Sequence, residues 1–307
     1  MRYLEIDGMR VSRVGLGTWQ FGSREWGYGE SYARETAPAL LRKAIDLGIT
    51  MIDTAEVYGP HTSERIIGET LKTIPAEQRR QLVIATKFMP LMPLERIVAW
   101  QADGSRERLG MNTLDMLYIH QKNPFVSARR VMQAVRPLVE QDRVRRAAVS
   151  NFNLAQWREA EAGLGRKVVA NQVRFSLVSP GPVKDLVPWA QAGNRMVVAY
   201  SPLGQGLLAG RDDFSGAGMR NTRFMMPARG VPALGPLRAA VAEIAHAHDG
   251  TRAQVALAWV LGHPNTVVIP GARTIEQLAE NAAAAELDLT PGEMARLGTL
   301  ADALAAS

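Results

Sequence analysis

The chain has 307 residues, 47% of them hydrophobic and 21% charged, with a formal net charge of +6. It holds no cysteine, which excludes disulfides, thiolate metal or iron–sulfur ligation, a cysteine nucleophile and any CxxC redox motif. The basic residues are scattered in short knots (Arg79-Arg80, Arg129-Arg130, Arg143/Arg145/Arg146) without interleaved aromatics, so no nucleic-acid partner is expected and the charge reads as weak steering of an anionic small molecule.

The opening stretch MRYLEIDGMR lacks the apolar run of a secretory signal, and no window approaches the roughly 20 apolar residues of a membrane span. A cytoplasmic protein without membrane contact is expected. Tyr3–Ile6 and Met9–Ser12, joined by Asp7-Gly8, have the pattern of a two-residue hairpin. Eight short apolar, β-branched runs follow, at 14–18, 49–55, 82–87, 114–120, 146–151, 168–173, 196–200 and 266–270. Helical spacing fills the intervals: Leu40, Leu41, Ala44, Ile45 and Leu47 lie within 36–47, and Val131, Met132, Val135, Leu138 and Val139 within 128–140. Asn153 with Gln156, Thr274 with Gln277 and Thr290 with Glu293 read as capping boxes, the last with Pro291 at the first helical position. Segment 234–261 reads as two helices parted at Asp249-Gly250. Residues 204–235 are rich in Gly, Arg and Pro without a period, the pattern of a flap over a ligand. Buried strands alternating with helices imply a parallel sheet covered on both faces. Eight such repeats predict an α/β protein, a single (β/α)8 TIM barrel domain over residues 1–307 with an N-terminal β-hairpin and a C-terminal extra helix.

Polar residues end these apolar runs: Asp53, Lys87, His120, Ser150-Asn151, Asn171-Gln172 and Tyr200-Ser201. Barrel enzymes place their chemistry at the carboxyl ends of the strands, and a buried Lys or Asp must be paired. A free tyrosine titrates near about 10, too high for a good acid at neutrality. An ammonium from Lys87 is expected to lower the pKa of Tyr58, with Asp53 holding the ammonium in place. His120 is suited to orient a carbonyl oxygen or relay the proton. A tyrosine acid beside a carbonyl needs a hydride donor, which no side chain supplies, so a nicotinamide cofactor is implied.

The segment Gly204-Gln205-Gly206-Leu207-Leu208-Ala209 fits GxGxxA, but Gly210-Arg211-Asp212-Asp213 follows with the character of a loop. A dinucleotide fingerprint opens a helix and has an acidic ribose ligand about 20 residues on. These glycines are therefore read as letting backbone amides approach a pyrophosphate. Arg273 precedes the helix opened by Thr274, a place suited to a 2′-phosphate, so NADPH is expected over NADH. Trp19, Trp26, Phe88 and Trp100 are candidates for an aromatic substrate wall, Trp19 foremost. His61, Asp53, Glu56 and His120 suggest a metal site only at the cost of leaving Lys87 and Tyr58 unexplained, and no metal is expected. His246 and His248 read as surface residues near a helix end.

The stretch Asp53-Thr54-Ala55-Glu56-Val57-Tyr58-Gly59, with Lys87 and His120 downstream, resembles the aldo-keto reductase family. The likeness runs from Gly15-Leu16-Gly17-Thr18-Trp19 through Val149-Ser150-Asn151-Phe152, Asn171-Gln172 and Tyr200-Ser201-Pro202-Leu203. It ends at Ile269-Pro270-Gly271-Ala272-Arg273 and Gln277-Leu278-Ala279-Glu280-Asn281, where Gly271-Ala272 replace the Lys-Ser of other members. The resemblance implies a catalytic tetrad of Asp53, Tyr58, Lys87 and His120, with Tyr58 as proton donor. It also implies that Ser150, Asn151 and Gln172 hold a carboxamide while Tyr200 stacks on the nicotinamide. Further cofactor contacts are expected from Gly17, Thr18, Trp19, Ser201, Leu203, Gly204, Gly206, Gly271, Arg273, Gln277, Glu280 and Asn281. The expected activity is NADPH-dependent reduction of a small-molecule aldehyde or ketone. The alternative is an NADPH-binding redox-sensing or regulatory subunit with little turnover. Substrate identity and oligomeric partners stay open.

Overall fold

Asp7 and Gly8 both take left-handed backbone angles, φ 50° and 75°, and fold β1 (Tyr3–Ile6) antiparallel onto β2 (Met9–Ser12). A turn with positive φ at both central residues matches the twist of the flanking strands, which is why Asp-Gly suits it. The computed structural model describes residues 1–22, 31–209 and 231–306. After the hairpin, strands and helices alternate: β3 (Leu16–Gly17), α1 (Ala37–Asp46), β4 (Met51–Asp53), α2 (Thr62–Lys72), α3 (Ala76–Arg80), β5 (Val83–Phe88), α4 (Glu95–Leu109) and β6 (Leu114–Ile119). Then come α5 (Ala128–Glu140), β7 (Val144–Ser150), α6 (Leu154–Leu164), β8 (Ala170–Arg174), α7 (Leu186–Ala192) and β9 (Met196–Tyr200). The described chain closes with α8 (Gly235–Ala247), α9 (Arg252–Leu261), β10 (Thr266–Val268), α10 (Ile275–Ala283) and the extra C-terminal helix α11 (Pro291–Ala305).

Strands β3 to β10 are parallel and pair in chain order. The ring closes through a parallel bridge of Val14 to Val268, with Gly15 N donating to the Val268 carbonyl at 2.8 Å and Gly17 N to that of Pro270 at 3.1 Å. Among the described residues, closure leaves the eight-stranded sheet without a free edge. Side chains alternate along each strand. Met51, Ala85, Tyr118, Ala148, Ala170 and Val198 point inward, with Ile6, Met9 and Val11 of the hairpin plugging the amino-terminal end. Ile52, Ile84, Leu117, Val149, Val173 and Val197 point outward beneath the helices. Each such Val, Leu or Ile contributes about 1.5–3 kcal/mol by leaving water.

The boxes at Asn153 and Thr290 form in full. A third, from Thr251 to Gln254, opens α9 just after the expected break. At Thr274 only half forms: its hydroxyl accepts from Gln277 N, while the Gln277 side-chain Oε1 accepts from Arg273 N instead of Thr274 N. Trp26 and residues 210–230 of the expected flap lie outside the described residues. Among the described residues, no helix is long and apolar enough to cross a membrane.

Candidate active site

Strand alternation aims Asp53 on β4 and Lys87 on β5 into the carboxyl-end mouth of the barrel. There the fully buried Lys87 Nζ donates to Asp53 Oδ2 at 2.7 Å, to the Thr54 carbonyl at 2.8 Å and to the Tyr58 hydroxyl at 3.1 Å. An ammonium carries three protons, and each has an acceptor. The other Asp53 oxygen accepts from Gln172 Nε2 at 2.6 Å, a bond that crosses the barrel from β8. Tyr58 and His120 meet edge to face, their centroids 5.9 Å apart. The structure therefore brings Asp53, Tyr58, Lys87 and His120 together.

Electrostatics sort their protonation states. Burial works against the Lys87 ammonium, but Asp53 and Tyr58 outweigh it and hold Lys87 above its ordinary value. The Tyr58 phenol is raised, because burial outweighs the opposing pull of Lys87. The expectation of a lowered tyrosine is thus corrected: a phenolate loses more by leaving water than one ammonium returns while a carboxylate shares it. Tyr58 is held as the acid. Burial, reinforced by Lys87, pushes His120 down to about 3, so its imidazole is neutral near neutrality. Its Nδ1 is buried without a hydrogen-bond partner.

The Tyr58 loop is pinned by backbone contact. Gly59 has φ 56°, and a Cβ there would lie 2.0 Å from the Gly22 carbonyl oxygen, so only glycine fits. Next to it, Thr18 Oγ1 donates to the Asp53 carbonyl at 2.8 Å and meets Ser63 Oγ at 2.7 Å, which Thr54 Oγ1 also reaches at 2.9 Å. Thr18 N donates to the Asp53 carbonyl as well, and its carbonyl accepts from Ser63 Oγ. Thr18 is fully buried with its polar groups used internally, so it braces the loop. Gly17 likewise packs against protein: a Cβ would lie 2.7 Å from the Ile269 carbonyl.

Around the rim, Asn151 takes a left-handed φ of 63°. Its Oδ1 accepts from Tyr200 OH at 2.9 Å, and its Nδ2 donates to Ser150 Oγ at 3.0 Å. Ser150, Asn151, Gln172 and Tyr200 thus share one neighbourhood, with one Gln172 donor already engaged by Asp53. Ser201, Gly204 and Gly206 have φ 49°, 58° and 97°, and Gly204–Gly206 is a 3-10 turn beside Leu203 instead of the start of a helix. Gly271 and Arg273 precede α10, which carries Gln277, Glu280 and Asn281. There Asn281 Nδ2 donates to the Gly271 carbonyl at 3.4 Å, and Arg273 is exposed. Of the aromatic candidates, Trp19 is 43% exposed, whereas Phe88 is buried in the outer core and Trp100 projects from α4 at 75% exposure. Phe88 faces the outer core because its strand parity is opposite to that of Lys87. His246 is exposed, while His248 Nε2 pairs with Glu293 at 2.9 Å.

Two contributors escape sequence reasoning. Glu56 is buried; it accepts from Met89 N at 2.7 Å and Gln101 Nε2 at 3.0 Å, and burial raises its pKa. It anchors the loop after β5, whose Leu91 and Met92 are exposed beside Phe125 of the next loop. In sequence it reads only as a possible metal ligand beside Asp53 and His61, not as an anchor of this loop. Tyr118, in register with Lys87, lies inside the barrel, where burial holds its phenol well above the ordinary value. It reads in sequence as one more apolar position.

The model of the aldo/keto reductase family matches residues 13–302. An uncharacterized oxidoreductase of Mycobacterium tuberculosis is 45% identical over 293 residues, 94% of this chain and 90% of that protein. The methylglyoxal reductase YeaE of Escherichia coli is 35% identical over 298 residues, 96% of this chain and 93% of that one. A solved aldo/keto reductase from Klebsiella pneumoniae, in complex with NADP and acetate, matches with a TM-score of 0.77 at 29% identity, covering 97% of this chain and 94% of that chain.

Proposed function

The chain belongs to the aldo/keto reductase family, and we propose that it reduces an aldehyde or ketone to the alcohol with NADPH, on a single barrel domain over residues 1–307. The observation that carries this reading is one ammonium, Lys87, bonded at once to a buried carboxylate and to the Tyr58 phenol. Ser150, Asn151 and Gln172 would hold the cofactor carboxamide beside the Tyr200 ring. The positive-φ turn at Gly204–Gly206 suits a phosphate approached by backbone amides. Arg273 before α10 suits a 2′-phosphate. A nicotinamide bound there would supply the hydride for the carbonyl carbon.

The protein's own part is proton delivery. Tyr58, held in its acid form, donates to the carbonyl oxygen, and the resulting phenolate is stabilised by Lys87 at 3.1 Å. Asp53 keeps the lysine charged and placed. His120, neutral, orients the carbonyl oxygen as a hydrogen-bond donor. The E. coli relative's name puts methylglyoxal among the substrates to assay.

Tyr58→Phe tests the assignment in an NADPH absorbance assay over a panel of aldehydes and ketones. Turnover should fall by about 100- to 10,000-fold, the contribution of a positioned acid, while NADPH still quenches protein fluorescence. Undiminished turnover would refute the role of Tyr58.

A further inference from the structure

Arg174 ends β8 on the inner face of the barrel. Ala170 and Gln172 share its parity and point inward, while Val173 and Phe175 on either side pack into the outer core. Its register partner is Tyr200, whose hydroxyl bonds Asn151. The residue is half-buried, and its Nε is shielded from solvent without a hydrogen-bond partner. Other arginines drawn into the protein are answered: Arg108 by Glu64 at 2.6 Å, Arg195 by the Glu161 carboxylate, and Arg13 by backbone carbonyls. Lys87, at the end of β5 in the same mouth, is balanced by Asp53. Among the described residues no ion pair compensates Arg174 beside Tyr200, and a guanidinium N–H shielded from water without an acceptor is costly. The guanidinium is also the fork that best matches a carboxylate or phosphate.

We propose that Arg174 is the receptor for a ligand oxyanion at the barrel mouth, supplied by a carboxylate on the carbonyl substrate or by a phosphate of the dinucleotide. The turnover arm of its test rests on the carbonyl-reduction reading; the binding arm does not. Wild type, Arg174→Lys and Arg174→Met are compared on para-carboxybenzaldehyde and para-tolualdehyde, which differ in charge at one ring position, and NADPH affinity is measured by fluorescence. With a substrate carboxylate as the partner, the ratio of kcat/KM for the acid over the neutral aldehyde falls about 10- to 100-fold in R174M, the worth of a hydrogen bond to a charged group. R174K retains part of that ratio. With a cofactor phosphate as the partner, the ratio holds and the Kd for NADPH rises by a similar factor. If neither quantity moves, the proposal is overturned. A wild type that binds NADPH yet reduces neither aldehyde would sink the reduction reading instead. Arg174 is then decided by titration with NADPH and with benzoate against benzamide: weakened NADPH or benzoate binding in R174M sustains the receptor, and unchanged binding overturns it.

Discussion

Protonation of His120 has an energetic consequence that can be worked through. Burial and the neighbouring Lys87 ammonium push its imidazole down to about 3, whereas an unfolded histidine titrates near about 6.5. Between those values the unfolded chain binds a proton that the folded chain refuses. Stability is therefore lost as pH falls through this window. Linkage over this interval gives a loss of about 2 kcal/mol from this group alone between about pH 7 and about pH 5. His120→Gln is neutral throughout and lacks that contribution, while the remaining titrating groups stay common to both proteins. Urea unfolding of wild type and variant at the two pH values yields a double difference, expected at about 2 kcal/mol, with wild type losing more on acidification. Equal losses in the two proteins would mean that the folded imidazole titrates normally, and the neutral-donor role would fall. The same state predicts no limb near about pH 6.5 in the wild-type kcat/KM profile.

Gly59→Ala puts a Cβ 2.0 Å from the Gly22 carbonyl at a positive φ. The Tyr58 loop must shift, lowering the melting temperature and cutting kcat by at least about tenfold, since small misplacements of catalytic groups are expensive. A variant matching wild type in both would contradict the close packing. Lys87→Met strands a buried Asp53 and should destabilise by about 3–5 kcal/mol. Adding Asp53→Asn should recover part of that in denaturant titration without restoring turnover. Thr18→Val removes a hydroxyl from the Ser63–Thr54 chain and should cost about 1–3 kcal/mol, while fluorescence titration finds NADPH affinity unchanged. A large affinity loss would make Thr18 a cofactor contact.

Much of this protein is written in residues a few positions apart. The Asp7-Gly8 hairpin, the Asn153 and Thr290 caps and the eight apolar runs depend on local backbone preferences and on i to i+3 bonds, which any short stretch carries with it. The polar residues that end those runs announce a mouth lined by Asp53, Lys87 and His120, because barrel closure delivers strand ends to one rim. What that reading lacks are contacts set by closure itself. Gln172 reaches Asp53 across 119 positions, Gly22 and Gly59 touch backbone to backbone, and Thr18 turns inward to Ser63. None has a local signal, since each depends on how far neighbouring strands are staggered when the ring shuts. The tyrosine's raised pKa belongs with them: proximity to a lysine is legible in a motif, but the water excluded around a phenol is decided only once the whole barrel has packed around it.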